Sequence, residues 1–254
     1  MSKIFKNKLL KIAIIPARGG SKSIPRKNLQ NLVGVPLIAY SIDCAIRSNL
    51  VDEVYVSTED VEIADISRSY GAKVIIRPDS MASDTSRDNE LLSHAIGHVF
   101  SELSEETLFV FLRPSHPLRN PETINKAIKM FSDNNQYDSL RSMKLSTEIP
   151  YKMWSINGDG SAIPVIESVC NGVADPSNAP RQLLPPTYYQ DGYVDIFPFK
   201  TITKFGNTAG RKILPFIIND FSHDIDTYHD LEVINNKLEN FPWPLWFKTP
   251  QPVL

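Results

Sequence analysis

Between Ile12 and about residue 132, short apolar segments alternate with segments whose apolar residues recur at helical spacing. This alternation narrows the accessible folds more than any other feature. Ile12–Ile15 reads as a buried strand, Val35–Arg47 as a helix and Glu53–Ser57 as a second strand. Val61–Tyr70 follows as a helix ended by Gly71, and Lys73–Ile76 is a third strand. A helix over Arg87–Phe100 precedes Leu108–Leu112, a fully buried strand, and Pro121 opens the next helix at a favoured N-terminal position. Such an order predicts an α/β fold with three layers, a mostly parallel sheet covered by helices on both faces. The 254 residues suffice for one domain with a full core.

The regularity breaks after about Asp138. Residues 144–187 hold Pro150, Pro164, Pro176, Pro180, Pro185 and Pro186, together with Gly158, Gly160 and Gly172. Alternation over Ile149–Ile156 and Ser161–Ser168, around Asn157-Gly158-Asp159-Gly160, predicts a β-hairpin. A hairpin has too little core to stand alone, so this arm is expected to pack on something else. Strand patterns return at Tyr188–Phe197 and Lys212–Ile217, and a last helix runs from about Tyr228 to Leu238. The tail Phe241–Leu254 reads as an extended segment.

The loop after the first strand carries the densest chemistry: Pro16-Ala17-Arg18-Gly19-Gly20-Ser21-Lys22-Ser23-Ile24-Pro25-Arg26-Lys27-Asn28. No Asp or Glu precedes Asp43, and eight of the 27 Lys and Arg fall before that residue. A Gly-Gly-Ser turn lets backbone N–H groups approach an anion, and Lys22, Arg26 and Lys27 supply charge. Its place after a buried strand is where open α/β sheets hold ligands, so a nucleoside triphosphate cradle is preferred over a solvated basic turn. The spacing is neither that of a P-loop nor that of a dinucleotide fingerprint, which argues against an NAD enzyme.

His223-Asp224-Ile225-Asp226 is a second constellation. On an extended segment Asp224 and Asp226 share a side, and paired oxygens suit Mg²⁺; an exposed acidic strand end is the alternative. His94 and His98 stand at i, i+4 without the Glu of a zinc motif, which favours an ordinary helix face. The net charge of −2 gives no reason to expect nucleic-acid or membrane binding. No apolar stretch is long enough to span a bilayer, and the basic N-terminus lacks a secretory core. Cys44 and Cys170 are expected to be reduced, structural thiols in a cytoplasmic protein.

The Pro16–Asn28 stretch resembles the signature of the acylneuraminate (CMP–sialic acid) cytidylyltransferases, whose wider group activates 3-deoxy-2-keto sugar acids with CTP. Further matches spread the resemblance over about residues 11–235. The resemblance implies a Rossmann-like nucleotide-diphospho-sugar transferase fold, one domain over residues 1–254, with residues 144–187 inserted as a dimerisation and substrate arm. It also implies Mg²⁺, with Mn²⁺ as a substitute, and a homodimer. Ala17, Arg18, Gly19, Gly20, Ser21, Lys22, Lys27 and Asn28 match nucleotide-binding positions, with Arg18, Lys22 and Asp226 in catalytic ones. Arg26 falls at a variable position and is expected to be solvated.

By the same resemblance Asp224 and Asp226 hold the metal. Arg77 and Ser83, in Arg77-Pro78 and Ala82-Ser83-Asp84-Thr85, read the cytosine; a helix N-cap is the competing role for the latter segment. Arg113, Arg181 and Gln182 face the acceptor sugar. Arg113 departs from the Gln common in the family, which leaves the acceptor open among sialic, legionaminic, pseudaminic and related acids. An arginine fork suits the acceptor's carboxylate, and Arg181 is placed there. Two other functions fit the cradle: a nucleotidyltransferase for a sugar phosphate, and a non-catalytic nucleotide sensor. Retention of Lys22, Asp224 and Asp226 favours an enzyme over the sensor.

Overall fold

The computed structural model describes residues 9–78, 92, 94, 95, 103–166, 172–240 and 250–253. In chain order, β1 (Lys11–Pro16) leads into the cationic loop, and β2 (Asn31–Leu32) and β3 (Val35–Pro36) form a two-stranded ribbon. Then come α1 (Leu37–Arg47), β4 (Glu53–Thr58), α2 (Val61–Ser69), β5 (Lys73–Ile76), β6 (Leu108–Phe111), α3 (Pro121–Ser132) and β7 (Ser139–Leu145). A small hairpin of β8 (Trp154–Ile156) and β9 (Ala162–Pro164) precedes β10 (Tyr188–Pro198), α4 (Phe199–Phe205), β11 (Ile213–Ile217) and α5 (Tyr228–Asn240).

Seven strands make one sheet in the order β11-β7-β10-β6-β1-β4-β5. β1 pairs in parallel with β4 on one side and β6 on the other, placing Ala13 opposite Val54 and Val110. β4 and β5 are also parallel, whereas β10 runs antiparallel to β6. Side-chain alternation splits the buried residues between the two faces. Ala13, Ile15, Val54, Val56 and Val110 pack with Ile38 and Ile42 of α1 and Ile124 and Ile128 of α3. Ile12, Ile14, Tyr55, Ile75, Phe109 and Phe111 line the other face with Leu92, Ala95 and Phe197. Burial on both faces is why these strands read as unbroken apolar runs, and it produces the three layers expected from the alternation. The parallel strands place the loops after β1, β4, β5 and β6 on one sheet edge, where ligands bind in such folds.

Several boundaries differ from the sequence expectation. α1 starts at Leu37 because Val35–Pro36 pairs with Asn31–Leu32 across the Val33–Gly34 turn, where both residues have positive φ. The pattern does not stop at Asp138: Ser139–Leu145 is a strand. Its buried positions include Ser139, Arg141 and Ser142, so it lacks an apolar signature. α4 was not foreseen, and the hairpin is shorter than expected because Pro150–Lys152 forms a 3₁₀ turn. The expected helix over Arg87–Phe100 lies outside the described residues except for the helical positions Leu92, His94 and Ala95; His98, Cys170 and residues 241–249 also lie outside them. Cys44 is a buried free thiol whose pKa burial raises to about 12, consistent with a structural role.

The chain divides into two compact units, residues 1–142 with 192–254, and residues 143–191. Within the second unit the Lys152 ammonium donates to the carbonyls of Ser177 and Ala179, and Ser146 N–H donates to the Thr187 carbonyl. Trp154, Ile156, Ile163, Val165 and Leu183 are exposed there. Among the described residues no helix is long and apolar enough to cross a membrane.

Candidate active site

The cationic loop is held along its whole length. Ala17 is buried, and its N–H extends the sheet by donating to the Ser57 carbonyl at 2.9 Å. Gly19 donates its N–H to Glu59 Oε1 at 2.7 Å and accepts from the Ser21 N–H at 3.2 Å. Ile24 is fully buried in a cluster with Leu32, Leu37, Leu118, Ile225 and Ile234. The Asn28 side-chain amide, itself buried, donates to the Arg18 carbonyl at 2.9 Å and closes the loop on itself. Between these anchors Gly20, Lys22 and Ser23 stand exposed.

The two glycines have different tasks. A Cβ on Gly19 would lie 2.5 Å from Asp60 Oδ2, whereas nothing lies within 4 Å of one on Gly20. A side chain at Gly19 would thus have to displace the Asp60 carboxylate of the β4–α2 turn. That turn is acidic. Asp60 caps α2 by accepting the Ile63 N–H at 3.0 Å and also faces Arg26, whose guanidinium reaches Asp60 and Glu62 at 3.1 and 2.8 Å. Arg26 is therefore exposed, as expected, and also ion-paired to Asp60 and Glu62. The Asp60 side-chain hydrogen bond raises its pKa further. Arg77, expected at the cytosine edge, is buried, with Nε and Nη2 at 2.9 and 2.8 Å from Glu59 Oε2. Ser83 lies outside the described residues.

Lys27 joins the loop to the second constellation. Its ammonium donates to the Ile225 carbonyl at 2.7 Å and to Asp226 Oδ1 at 3.1 Å. Ile225 is fully buried and its N–H donates to the Ser115 carbonyl at 2.9 Å, so the flanking Asp224 and Asp226 both turn outward. Asp224 is still half-buried, and this partial desolvation first, and then the Asp226 charge, pushes its carboxyl above the usual range, against the Ser115 hydroxyl. The pair offers only hard oxygen donors and a like-charge repulsion that a cation would relieve. It therefore fits Mg²⁺ completed by phosphate and water oxygens. Among the described residues no group of three or more His, Cys, Asp and Glu could hold a metal.

Asp230 was not singled out from the sequence, yet it sets the geometry of this segment. Its Oδ2 accepts the N–H groups of Asp226 and Thr227 and the Thr227 hydroxyl, at 3.1, 2.8 and 2.7 Å. His223 Nε2 lies 2.9 Å from its Oδ1. The Thr227 hydroxyl, His223 and these amides hold the Asp230 carboxyl well below the usual range. Thr227-Tyr-His-Asp230 is a capping-box spacing that signals such a helix start. Asn235 of the same helix accepts the Val33 N–H at 2.9 Å, so α5 braces both the carboxylate segment and the turn after the loop. Glu59, also missed, has no sequence signal beyond its place after a strand.

At the end of β6, Arg113 Nη1 contacts Asp195 Oδ2 at 2.8 Å, and Arg141 contacts the same oxygen at 2.5 Å. Asp195 is fully buried, so Arg113, expected at the acceptor, is first of all part of an ion-pair cluster. Arg119 is buried and donates to the carbonyls of Arg113, His116 and Tyr193 and to Ser41, fixing the 113–119 loop. His116 Nδ1 lies 3.5 Å from Asp224 Oδ1. Arg181 and Gln182 belong to the second unit, in an exposed 3₁₀ turn where Arg181 Nη2 lies 3.3 Å from the Ser146 carbonyl.

A cytidylyltransferase family profile matches residues 12–154, more than half of the chain. The chain belongs to the cytidylyltransferase family. This agrees with the resemblance carried by the Pro16–Asn28 motif. Among curated members, a CMP-N,N'-diacetyllegionaminic acid synthase of Legionella pneumophila is 31% identical over 224 residues, covering 85% of this chain and 89% of that protein. An N-acylneuraminate cytidylyltransferase of Escherichia coli O18:K1:H7 is 34% identical over 137 residues, 54% of this chain and 32% of that protein. The match thus spans about a third of that relative's length. The solved CMP:2-keto-3-deoxy-manno-octonic acid synthetase, complexed with CTP, superposes with a TM-score of 0.68 at 17% identity, covering 91% of this chain and 98% of that one. At that identity the likeness is one of fold.

For a cytidylyltransferase of this geometry the two loop glycines should behave differently. Gly19→Ala should cost about 1–3 kcal/mol in urea unfolding, since its Cβ meets Asp60. Gly20→Ala should leave the unfolding midpoint unchanged. Equal stability of the two variants would contradict the close approach of the acidic turn.

Proposed function

We propose that this protein transfers CMP from CTP to the anomeric hydroxyl of a sialic-acid-like 2-keto-3-deoxy sugar acid, releasing pyrophosphate, with Mg²⁺ or Mn²⁺ bound. The observation that carries this reading is Lys27, whose ammonium ties the cationic loop to the Asp224–Asp226 segment. Cations and carboxylates thereby meet at one sheet edge, the combination a metal–triphosphate substrate requires. Family membership supports cytidine as the base, and the relatives' sugar-acid names support the acceptor class.

In this mechanism the acceptor hydroxyl oxygen bonds to the α-phosphorus, the bond to the bridging oxygen of the β-phosphate breaks, and the hydroxyl proton is released to solvent. Pyrophosphate takes the electron pair of the broken bond. Arg18 and Lys22 offset charge developing on the phosphoryl oxygens and the leaving group. Asp224 and Asp226 would hold the metal, which supplies Lewis-acid polarisation of the phosphate when bound. Arg181, with Gln182 beside it, places its guanidinium fork on the acceptor's carboxylate. The exposed apolar residues of the second unit support a homodimer, and no described feature calls for a place other than the cytoplasm.

A pyrophosphate-release screen of four nucleoside triphosphates against sugar acids and sugar phosphates tests the function. CTP with a sugar acid should react, chelation by EDTA should abolish turnover, and Lys22→Ala should lower kcat by ~10²-fold. Turnover confined to sugar phosphates, or full activity in EDTA, would refute the proposal. For the assembly, light scattering should give about twice the 28.6 kDa chain mass. A monomer at all concentrations would reject the homodimer.

A further inference from the structure

We infer that Arg119 is a positioning residue whose buried guanidinium holds the 113–116 loop in the shape that carries Asp224. The inference rests on the nucleotide and metal readings above and concerns how one member of the carboxylate pair is kept in place. β6 and β10 pair antiparallel from Leu108 opposite Pro198 to Phe111 opposite Asp195. Beyond that last pair the ladder stops, and buried carbonyls near the break need other donors. Arg119 supplies them. Its Nε donates to the Tyr193 carbonyl at 2.5 Å, and its Nη1 to the His116 carbonyl at 2.6 Å and the Ser41 hydroxyl at 2.9 Å. Nη2 donates to the Arg113 carbonyl at 2.6 Å and lies 3.4 Å from the Gly192 carbonyl. One planar fork thus joins the loop after β6 to β10 and to α1. Gly192, with a φ of 75°, leaves room for the loop: a Cβ there would lie 3.3 Å from His116 Cε1.

Asp224 rests on the loop so fixed. The Ser115 carbonyl accepts the Ile225 N–H at 2.9 Å, the Ser115 hydroxyl donates to the Asp224 carboxylate, and His116 Nδ1 lies 3.5 Å from Asp224 Oδ1. The Arg119 charge also favours the ionised form of Asp224. Asp226 is held from elsewhere, by Lys27 on its carboxylate and by Asp230 on its N–H. The two carboxylates therefore have separate supports. Arg119 acts on Asp224 through residues 115 and 116 and leaves the contacts of the cradle alone. A lysine ammonium would reach only part of this set of acceptors, because it lacks the planar fork. Outer contacts of this kind tune the affinity of a carboxylate for its metal.

Calorimetric titration of the full chain with CTP, in Mg²⁺ and in EDTA, separates this role from a general structural one. Arg119→Lys should bind CTP about tenfold more weakly than the parent in Mg²⁺ and equally well in EDTA. Asp224→Asn should show the same loss confined to Mg²⁺, and adding Arg119→Lys to it should weaken CTP no further. Ser41→Ala, which removes one acceptor of the guanidinium, should show a smaller loss, about threefold and again confined to Mg²⁺. That variant carries the test if Arg119→Lys fails to fold. Equal weakening in Mg²⁺ and in EDTA would overturn the inference, as would binding unchanged in both. A parent protein that binds CTP equally in Mg²⁺ and in EDTA would refute the metal reading, and one that binds it in neither would refute the nucleotide reading.

Discussion

The Lys27 ammonium makes the contact on which the candidate site depends. It spans 198 positions of sequence to reach the Ile225 carbonyl and 199 to reach the Asp226 carboxylate. The carbonyl contact is part-buried and the carboxylate contact is exposed, so the first gives position and the second local charge balance. Beneath them Ile24 and Ile225 share one buried cluster, so each charged segment is pinned by an apolar residue at its centre. The alternation of buried Ile225 with outward Asp224 and Asp226 places the carboxylates, and Lys27 places the segment against the loop.

A second layer of carboxylates supports the cations. Glu59, Asp60 and Glu62 receive Gly19, Arg26 and Arg77, while Asp230 gathers the amides of residues 226 and 227 and the His223 ring. Acidic groups at the ends of β4 and the start of α5 neutralise the residues that shape the cationic loop, and Lys22 remains at the exposed turn.

The sheet was legible because its central strands are buried on both faces, and Ile12–Ile15 and Leu108–Phe111 have no polar interruption. β7 was hidden by the opposite circumstance: Ser139, Arg141 and Ser142 are buried polar residues whose partners, Ala209, Thr208 and Val194 of β10, are distant in sequence, a fact no local pattern carries. The cationic loop and the Asp224–Asp226 pair were visible as motifs. Their mutual contact was not, since spacing says nothing of partners nearly two hundred residues apart. For the same reason the contacts of the Arg77 guanidinium with Glu59, and of Arg26 with Asp60 and Glu62, had no signal in the sequence.

A double-mutant cycle on Lys27→Met and Asp226→Asn, read as kcat/KM for CTP-dependent pyrophosphate release, tests most directly whether loop and carboxylates act as one unit. Groups acting as a unit lose activity non-additively. Each single variant should lower kcat/KM by about 100-fold, and the double variant by about the same factor rather than by its square. A double variant whose loss equals the product of the two single losses would show that the cradle and the carboxylate pair work independently, contrary to the arrangement described.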